Sequence, residues 1–305
     1  MSFDIHFLGT SAAIPYKERK PSAQYIQVNK QRLLIDCGEG TQQQLNKYQI
    51  NAHKIEHILI SHLHGDHIFG LPGLLSSLHL FKRTKPLHLY APLGLKEMLR
   101  SIFRYSETTL SFPLQFHALQ AEGQRLLFEN DELEVSSFPL EHRIACWGFL
   151  IKEKPKLRNL LPEKLPRGLP FPLLKALKAG EDVRYENELV RFEEVTLPPK
   201  KSRSYAYCSD TRYLEDIVPY IQKVDVLYHE STFLEKHLAR ARKTYHSTAR
   251  QAAGIAFRAQ VQQLYLGHFS SRYKSLDVFL EEAQEVFLET KLAKEGDIVS
   301  ISEDY

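Results

Sequence analysis

Apolar and polar positions set out a series of short elements along the chain. Ile5 and Phe7 alternate with polar neighbours, then Leu8-Gly9-Thr10 predicts a strand running into a turn. Residues 25–28 and 32–36 are apolar runs on either side of Asn29-Lys30-Gln31, the pattern of a hairpin pair. Residues 41–48 predict a helix, and the apolar run at 55–61 predicts a buried strand that ends in histidines. Residues 71–81 predict a helix with Pro72 in its first turn, where its missing N–H would have had no helical partner. A strand at 87–90, a helix at 94–103, a hairpin around Asn130-Asp131 and a strand at 146–152 follow. Farther on come strands at 205–208 and 224–229, a helix at 248–260 and a strand at 263–266. The reading ends with a long amphipathic helix at 276–292 and a strand at 298–301. Strands and helices alternate through both halves, which predicts an α/β fold.

One interval breaks the pattern. Residues 154–199 are rich in Pro and Lys and have weak periodicity. From 152 to 178 stand eight bases, Lys152, Lys154, Lys156, Arg158, Lys164, Arg167, Lys175 and Lys178, against only Glu153 and Glu163. That stretch carries +6 in a chain whose net charge is +3, the local excess expected of a polyanion contact. The segment interrupts the second half and does not end it. It therefore reads as a flexible basic arm, 152–200, inserted in a single domain of 1–305.

Composition narrows the class. With 43% hydrophobic and 25% charged residues the chain is an ordinary globular one. No apolar run approaches the ~18 residues of a membrane span, and the first residues lack the pattern of a signal peptide. The expectation is a cytoplasmic protein with no membrane partner. The three cysteines, Cys37, Cys146 and Cys208, are too few and scattered for a disulfide framework, and predict small buried thiols.

The chemistry concentrates in His62-Leu63-His64-Gly65-Asp66-His67. Four potential ligands fall within six residues, directly after an apolar strand, and imidazole with carboxylate is what zinc binds. On a loop there, alternate positions can turn toward one ion while Asp66 and His67 turn toward a second. Gly65 would supply the backbone freedom for the wrap. Three further candidates, His142, Asp210 and His268, each follow a predicted strand. Asp210, with two carboxylate oxygens, could bridge two metals.

This spaced set resembles the metallo-β-lactamase superfamily, and finer features resemble its ribonuclease Z family. Leu8-Gly9-Thr10-Ser11-Ala12-Ala13 opens the chain as in that family, and Asp36-Cys37-Gly38-Glu39-Gly40-Thr41-Gln42 matches its D-C-G-E-G-T-Q stretch. Pro15-Tyr16-Lys17-Glu18-Arg19-Lys20 is close to a P-x-K-x-R-N loop associated with the tRNA 3′ end, with Lys20 in place of Asn. His229-Glu230-Ser231-Thr232-Phe233 resembles an H-E-A-T-F motif with Ser for Ala, and His246-Ser247-Thr248 an H-S-T motif. In the arm, Pro166-Arg167-Gly168-Leu169-Pro170-Phe171-Pro172 preserves the family's Gly-Pro-rich motif only loosely.

The resemblance implies an αββα sandwich with two Zn2+ per chain at one edge of the sheets. His62, His64 and His142 would hold one ion. Asp66, His67 and His268 would hold the other, with Asp210 between them. Asp66 would orient the attacking water, His246 would protonate the leaving oxygen, and Glu230 would fix the His246 tautomer. Lys17, Arg19 and the arm bases Lys152, Lys154, Lys156, Arg158, Lys164 and Arg167 would contact substrate. The implied activity is removal of the 3′ trailer from precursor tRNA by a homodimer, leaving a 3′-hydroxyl on the tRNA and a 5′-phosphate on the trailer. The alternatives are another phosphodiesterase of this fold acting on small or DNA substrates, a hydrolase of carbonyl substrates, and a catalytically silent RNA-binding scaffold.

Overall fold

The computed structural model describes residues 2–120 and 122–303; Met1, Ala121, Asp304 and Tyr305, all within the expected domain, lie outside these. Two seven-stranded sheets form its centre. The first runs in the order Ile298–Ser300, Phe3–Gly9, Ala23–Val28, Gln31–Ile35, His57–Leu59, Leu87–Ala91, Leu114–Ala118. The second runs Thr290–Leu292, Gln263–Gly267, Val226–Glu230, Ser204–Cys208, Cys146–Glu153, Leu133–Leu140, Arg125–Glu129.

Each strand turns alternate residues to opposite faces, and both faces of both sheets are covered. Phe7, Ile26 and Leu59 from the first sheet pack against Phe149, Tyr207 and Tyr228 from the second. On the outer face of the first sheet, Leu34, Ile58 and Leu89 meet the helices Thr41–Lys47, Leu71–Leu80 and Gly94–Tyr105. On the outer face of the second, Ala206, Leu227 and Leu264 meet the helix Ala249–Ala259, which buries Ala252, Ile255 and Ala256. The result is helix, sheet, sheet, helix. Burying a Leu, Ile or Phe of this kind stabilises the fold by roughly 1.5–3 kcal/mol. Among the described residues, no helix is long and apolar enough to cross a membrane. The three cysteines are unpaired, and burial pushes their thiols up, which leaves them inert.

Two strands of the central sheets differ from the sequence reading. The helix expected over 276–292 ends at Gln284, and Thr290–Leu292 forms a strand parallel to Gln263–Gly267. The open edge beside Leu264 to Leu266 offers those residues a ladder, and tertiary pairing overrides helical periodicity. Leu114–Ala118, not anticipated from the sequence, extends the first sheet beside Leu87–Ala91.

The segment expected as a flexible arm carries structure of its own. It contains the helix Phe171–Ala179, the paired strands Val183–Tyr185 and Glu188–Val190, and a small core of Leu169, Leu177, Val183, Val190 and Val195. Its weak periodicity reflects short elements around a small core.

Candidate active site

Several strands end at one edge of the two sheets, and the polar residues that follow them meet there. His62 and His64 follow His57–Leu59, His142 follows Leu133–Leu140, Asp210 follows Ser204–Cys208, and His268 follows Gln263–Gly267. The segment after His64, expected as a loop, is one turn of helix, Gly65–Ile68. Gly65 does not take a left-handed φ there. A Cβ at that position would lie 2.2 Å from the exposed Phe69 ring, which would have to swing aside, and the glycine supplies no special backbone freedom.

The ligand-type atoms of His62, His64, His142 and Asp210 all lie within 4.8 Å of one another, as do those of Asp66, His67 and His268. The rings are fixed from behind. Asp36 Oδ2 accepts from His67 Nδ1 at 2.8 Å, from Tyr207 Oη at 2.7 Å and from Ser61 Oγ at 2.9 Å. Because the Ser61 hydroxyl donates to Asp36, it accepts from His62 Nδ1 at 3.1 Å. His142 Nδ1 donates to the Tyr245 carbonyl at 2.8 Å. Thr232 Oγ1 donates to Glu230 Oε2 and so accepts from His268 Nδ1 at 2.9 Å.

These bonds put a proton on Nδ1 of His62, His67, His142 and His268, and turn each Nε2 toward the centre of its cluster. His62 Nε2 lies 3.0 Å from His64 Nδ1, and His142 Nε2 lies 3.1 Å from the same atom. A metal ion seated among these three nitrogens could take all of them as ligands. His67 Nε2 and Asp210 Oδ1 are buried without a hydrogen bond. Asp210 turns Oδ2 toward His62 at 3.6 Å and Oδ1 toward His67 and His268 at 3.5 and 3.2 Å. The donor set fits one metal ion in each cluster with a carboxylate between them.

The titration behaviour differs between the rings. Burial holds His62, His64 and His142 below the usual imidazole range, as neutral ligands must be. Burial opposes a charge on His67 too, but Asp36, Asp66 and Asp210 outweigh it and hold this imidazole up to about 10. Three carboxylates around one ring make a negative well that an ion would fill. Asp66 is driven well below the usual carboxylate range despite its burial, by His67, His268 and the Ala13 N–H.

A further pair adjoins the clusters, and the ligand-type atoms of His246 also lie within 4.8 Å of those of Asp210 and His268. His246 Nδ1 lies 2.8 Å from Glu230 Oε1. Glu230 is fully buried and also accepts from the N–H groups of Thr211, Thr232 and Ser247. Burial works against both charges, yet each group holds the other: His246 rises to about 9 and Glu230 falls to about 2. His246, His64, Asp66, Asp210 and His268 line a cleft of about 540 Å³. A protonated His246 there can give up a proton, and the metal clusters can face an anion.

The expected substrate-contact residues are more scattered. Lys17 and Arg19 stand on a loop beside the cleft without lining it; the Arg19 guanidinium lies 5.3 Å from the Tyr16 ring centre and 5.8 Å from that of Phe269. In the arm, Lys154 pairs with Glu129, Lys156 with Glu153 and Glu303, and Arg158 bonds Thr196 and stacks on Phe192. The expectation that these bases face little opposing charge fails for Lys154 and Lys156, whereas Arg158 has neutral partners and Lys152, Lys164 and Arg167 are exposed. Residues 179–200 also bring six acids against three bases.

Three arginines that carried no sequence signal, Arg143, Arg240 and Arg272, line the cleft. Asp36, Ser61 and Thr232 were missed as supports of the ligands. An acid at the end of an apolar strand was the available signal for Asp36.

Residues 3–155 match a family model described as "Anti-Pycsar protein Apyc1". That half contains His62 through His142 but stops before Asp210, His246 and His268. Full-length likenesses cover the whole site. A ribonuclease Z of Cytophaga hutchinsonii is 48% identical over 99% of this chain and 97% of its own. The crystal structure of the short form of human tRNase Z is 28% identical, covers 98% of this chain and 99% of its own, and superimposes with a TM-score of 0.72. The metallo-β-lactamase fold protein YhfI of Bacillus subtilis, 19% identical, covers 98% of this chain and 100% of its own with a TM-score of 0.70, a likeness of fold.

Proposed function

This chain belongs to the ribonuclease Z family, with residues 3–155 also falling in the family described as Anti-Pycsar protein Apyc1, and from that membership we propose that it is a zinc-dependent endonuclease that removes the 3′ trailer from precursor tRNA. The observation that carries the reading is the convergence of imidazole nitrogens and two carboxylates beside the His246–Glu230 pair. His62, His64 and His142 would hold one Zn2+, Asp66, His67 and His268 a second, and Asp210 would serve both. When bound, such a pair supplies positive charge beside the scissile phosphate and makes water more acidic.

The chain's own residues supply the rest. Asp66 orients the attacking water through its free carboxylate edge. Glu230 holds Nδ1 of His246 as a donor, so that Nε2 carries the transferable proton. His246 gives that proton to the leaving 3′-oxygen of the tRNA, a contribution of roughly 10²–10⁴ in rate. Arg143, Arg240 and Arg272 attract the flanking phosphates, with Lys17 and Arg19 at the loop and the exposed arm bases farther out. The arm adds sequence-independent, salt-sensitive affinity.

The same reading takes the protein as a cytoplasmic homodimer. Met98, Ile102 and Tyr105 form an exposed stripe at i, i+4, i+7 on the helix Gly94–Tyr105, a surface on which a second copy would pack.

The test is precursor tRNA with a defined trailer, incubated with and without chelator. Cleavage to a tRNA bearing a 3′-hydroxyl, lost on chelation, is the expected result. Hydrolysis of a simple phosphodiester with precursor tRNA left whole would instead support the small-substrate phosphodiesterase reading.

A further inference from the structure

Glu295 lies in the turn that joins the edge strand of one sheet, Thr290–Leu292, to the edge strand of the other, Ile298–Ser300. Backbone bonds tie that turn to the first strand: Gly296 N–H donates to Phe7 O, and Phe7 N–H to Asp297 O. Glu295 is thus held on the rigid frame. Its Oε1 accepts three hydrogen bonds, from Thr10 N–H at 3.0 Å, Thr10 Oγ1 at 2.9 Å and Lys20 N–H at 3.2 Å. Thr10 and Lys20 are the two ends of one loop. Ser11 N–H donates to Lys20 O across the same neck.

The loop held by this oxygen runs into the cleft. Ala12, Ala13 and Ile14 line it. Ala13 takes a left-handed φ of 63°, an unfavourable conformation for alanine that the surroundings must impose. Its N–H donates to Asp66 Oδ2 at 2.7 Å. On the other side, Ser11–Ala12 pairs with Phe269–Ser270, directly after His268. The far end of the loop carries Tyr16, Lys17 and Arg19. One carboxylate therefore closes the neck of a loop whose wall touches both ligand-bearing segments and whose tip faces outward.

We propose that Glu295 is a positioning residue for RNA: by clasping Thr10 to Lys20 it holds the 10–20 loop as one wall of the cleft and so sets how precursor tRNA seats against the reacting centre. The proposal rests on the ribonuclease reading above. A mobile wall would still leave a small diester free to reach the site. A long substrate gripped at several points needs the wall in place before its phosphate is aligned.

The experiment compares Glu295→Ala with Glu295→Gln in the zinc-loaded protein. The amide oxygen of Gln can accept all three bonds that Oε1 accepts, whereas Ala accepts none. For Glu295→Ala the expected result is at least a tenfold fall in kcat/KM on precursor tRNA, mainly through KM. Trypsin should cut faster after Lys17 and Arg19. Zinc content, and turnover of bis(p-nitrophenyl) phosphate, should stay within about threefold of wild type. Glu295→Gln should restore both tRNA cleavage and protease resistance. Equal losses on the two substrates, a loosened loop with unaltered tRNA cleavage, or a Gln variant as poor as Ala would each overturn the proposal. Failure of the ribonuclease reading looks different, because wild-type protein itself would leave precursor tRNA uncut.

Discussion

His246 presents Nδ1 to Oε1 of Glu230 at 2.8 Å, and Glu230 is buried completely beneath it. The imidazole therefore meets the cleft with Nε2, held by a carboxylate whose other bonds come from Thr211, Thr232 and Ser247. Proton donation by His246 and metal holding by the other imidazoles can be tested apart.

His246→Ala removes the donor and leaves the other imidazoles and Asp210 in place. Zinc content should stay near wild type while turnover falls by roughly 10²–10⁴. The deficit should shrink on substrates with an acidic leaving group, which need no proton. A variant that loses its metal, measured by elemental analysis, would contradict the assignment.

The pH dependence has a definite sign. His246 is lifted from 6.5 to about 9, so the pair's stabilisation is fully present below pH 6.5 and lost as pH rises through about 9. Glu230 is lowered from 4.5 to about 2, so its part is present above 4.5 and lost as pH falls through about 2. Activity that needs protonated His246 should decline with a basic limb near 9. In Glu230→Gln that limb should move toward neutrality. The amide NH2 would also face a backbone N–H in either orientation, since both carboxylate oxygens accept one. Thermal unfolding should then report a loss of about 1–3 kcal/mol.

His64→Ala deletes the ring nitrogen nearest to both His62 and His142, and should lower zinc content and abolish cleavage. Asp36→Asn is subtler. It leaves every ligand present, but Asp36 accepts on both oxygens, three bonds on Oδ2 and one from Ser61 N–H on Oδ1, so an amide NH2 would face a donor in either orientation. Metal affinity should fall by about 10–100-fold, read by competition with a chelator. Unchanged affinity would mean that the His67 orientation is set elsewhere.

Removal of the arm should spare the chemistry. Glu153 and Arg203 form a buried pair at its base, and Ser202 Oγ bonds Lys154 O at 3.1 Å, so the deletion belongs at 157–199 with a short Gly/Ser link. Both zinc ions should remain, and hydrolysis of a small phosphodiester should survive within about tenfold. Precursor tRNA cleavage should fall much further, mainly through KM, with a weaker salt dependence. Equal losses on the two substrates would make the arm a support of the fold.

The sequence by itself determined the elements whose periodicity is strong and whose neighbours are local. The strands around Ile26, Leu33 and Ile58, the helices over Leu74 and Ala252, and the dense run from His62 to His67 are all readable along the chain. It also singled out His142, Asp210, His246 and His268, because each stands at the end of an element or within a motif. Only the tertiary structure decided which of these face one another. Asp210 comes to lie between His62 and His268 because strand order in the second sheet sets it near His268, and the packing of the two sheets brings His62 from the first sheet beside it. The strand Thr290–Leu292 exists because Gln263–Gly267 offers it an edge, which helical spacing cannot reveal. Asp36 behind His67, and Glu295 across the neck between Thr10 and Lys20, act through hydrogen bonds between residues 31 and up to 285 positions apart. No local pattern encodes such contacts: a carboxylate reads the same along the chain whether it faces water or three buried donors, and only packing decides which.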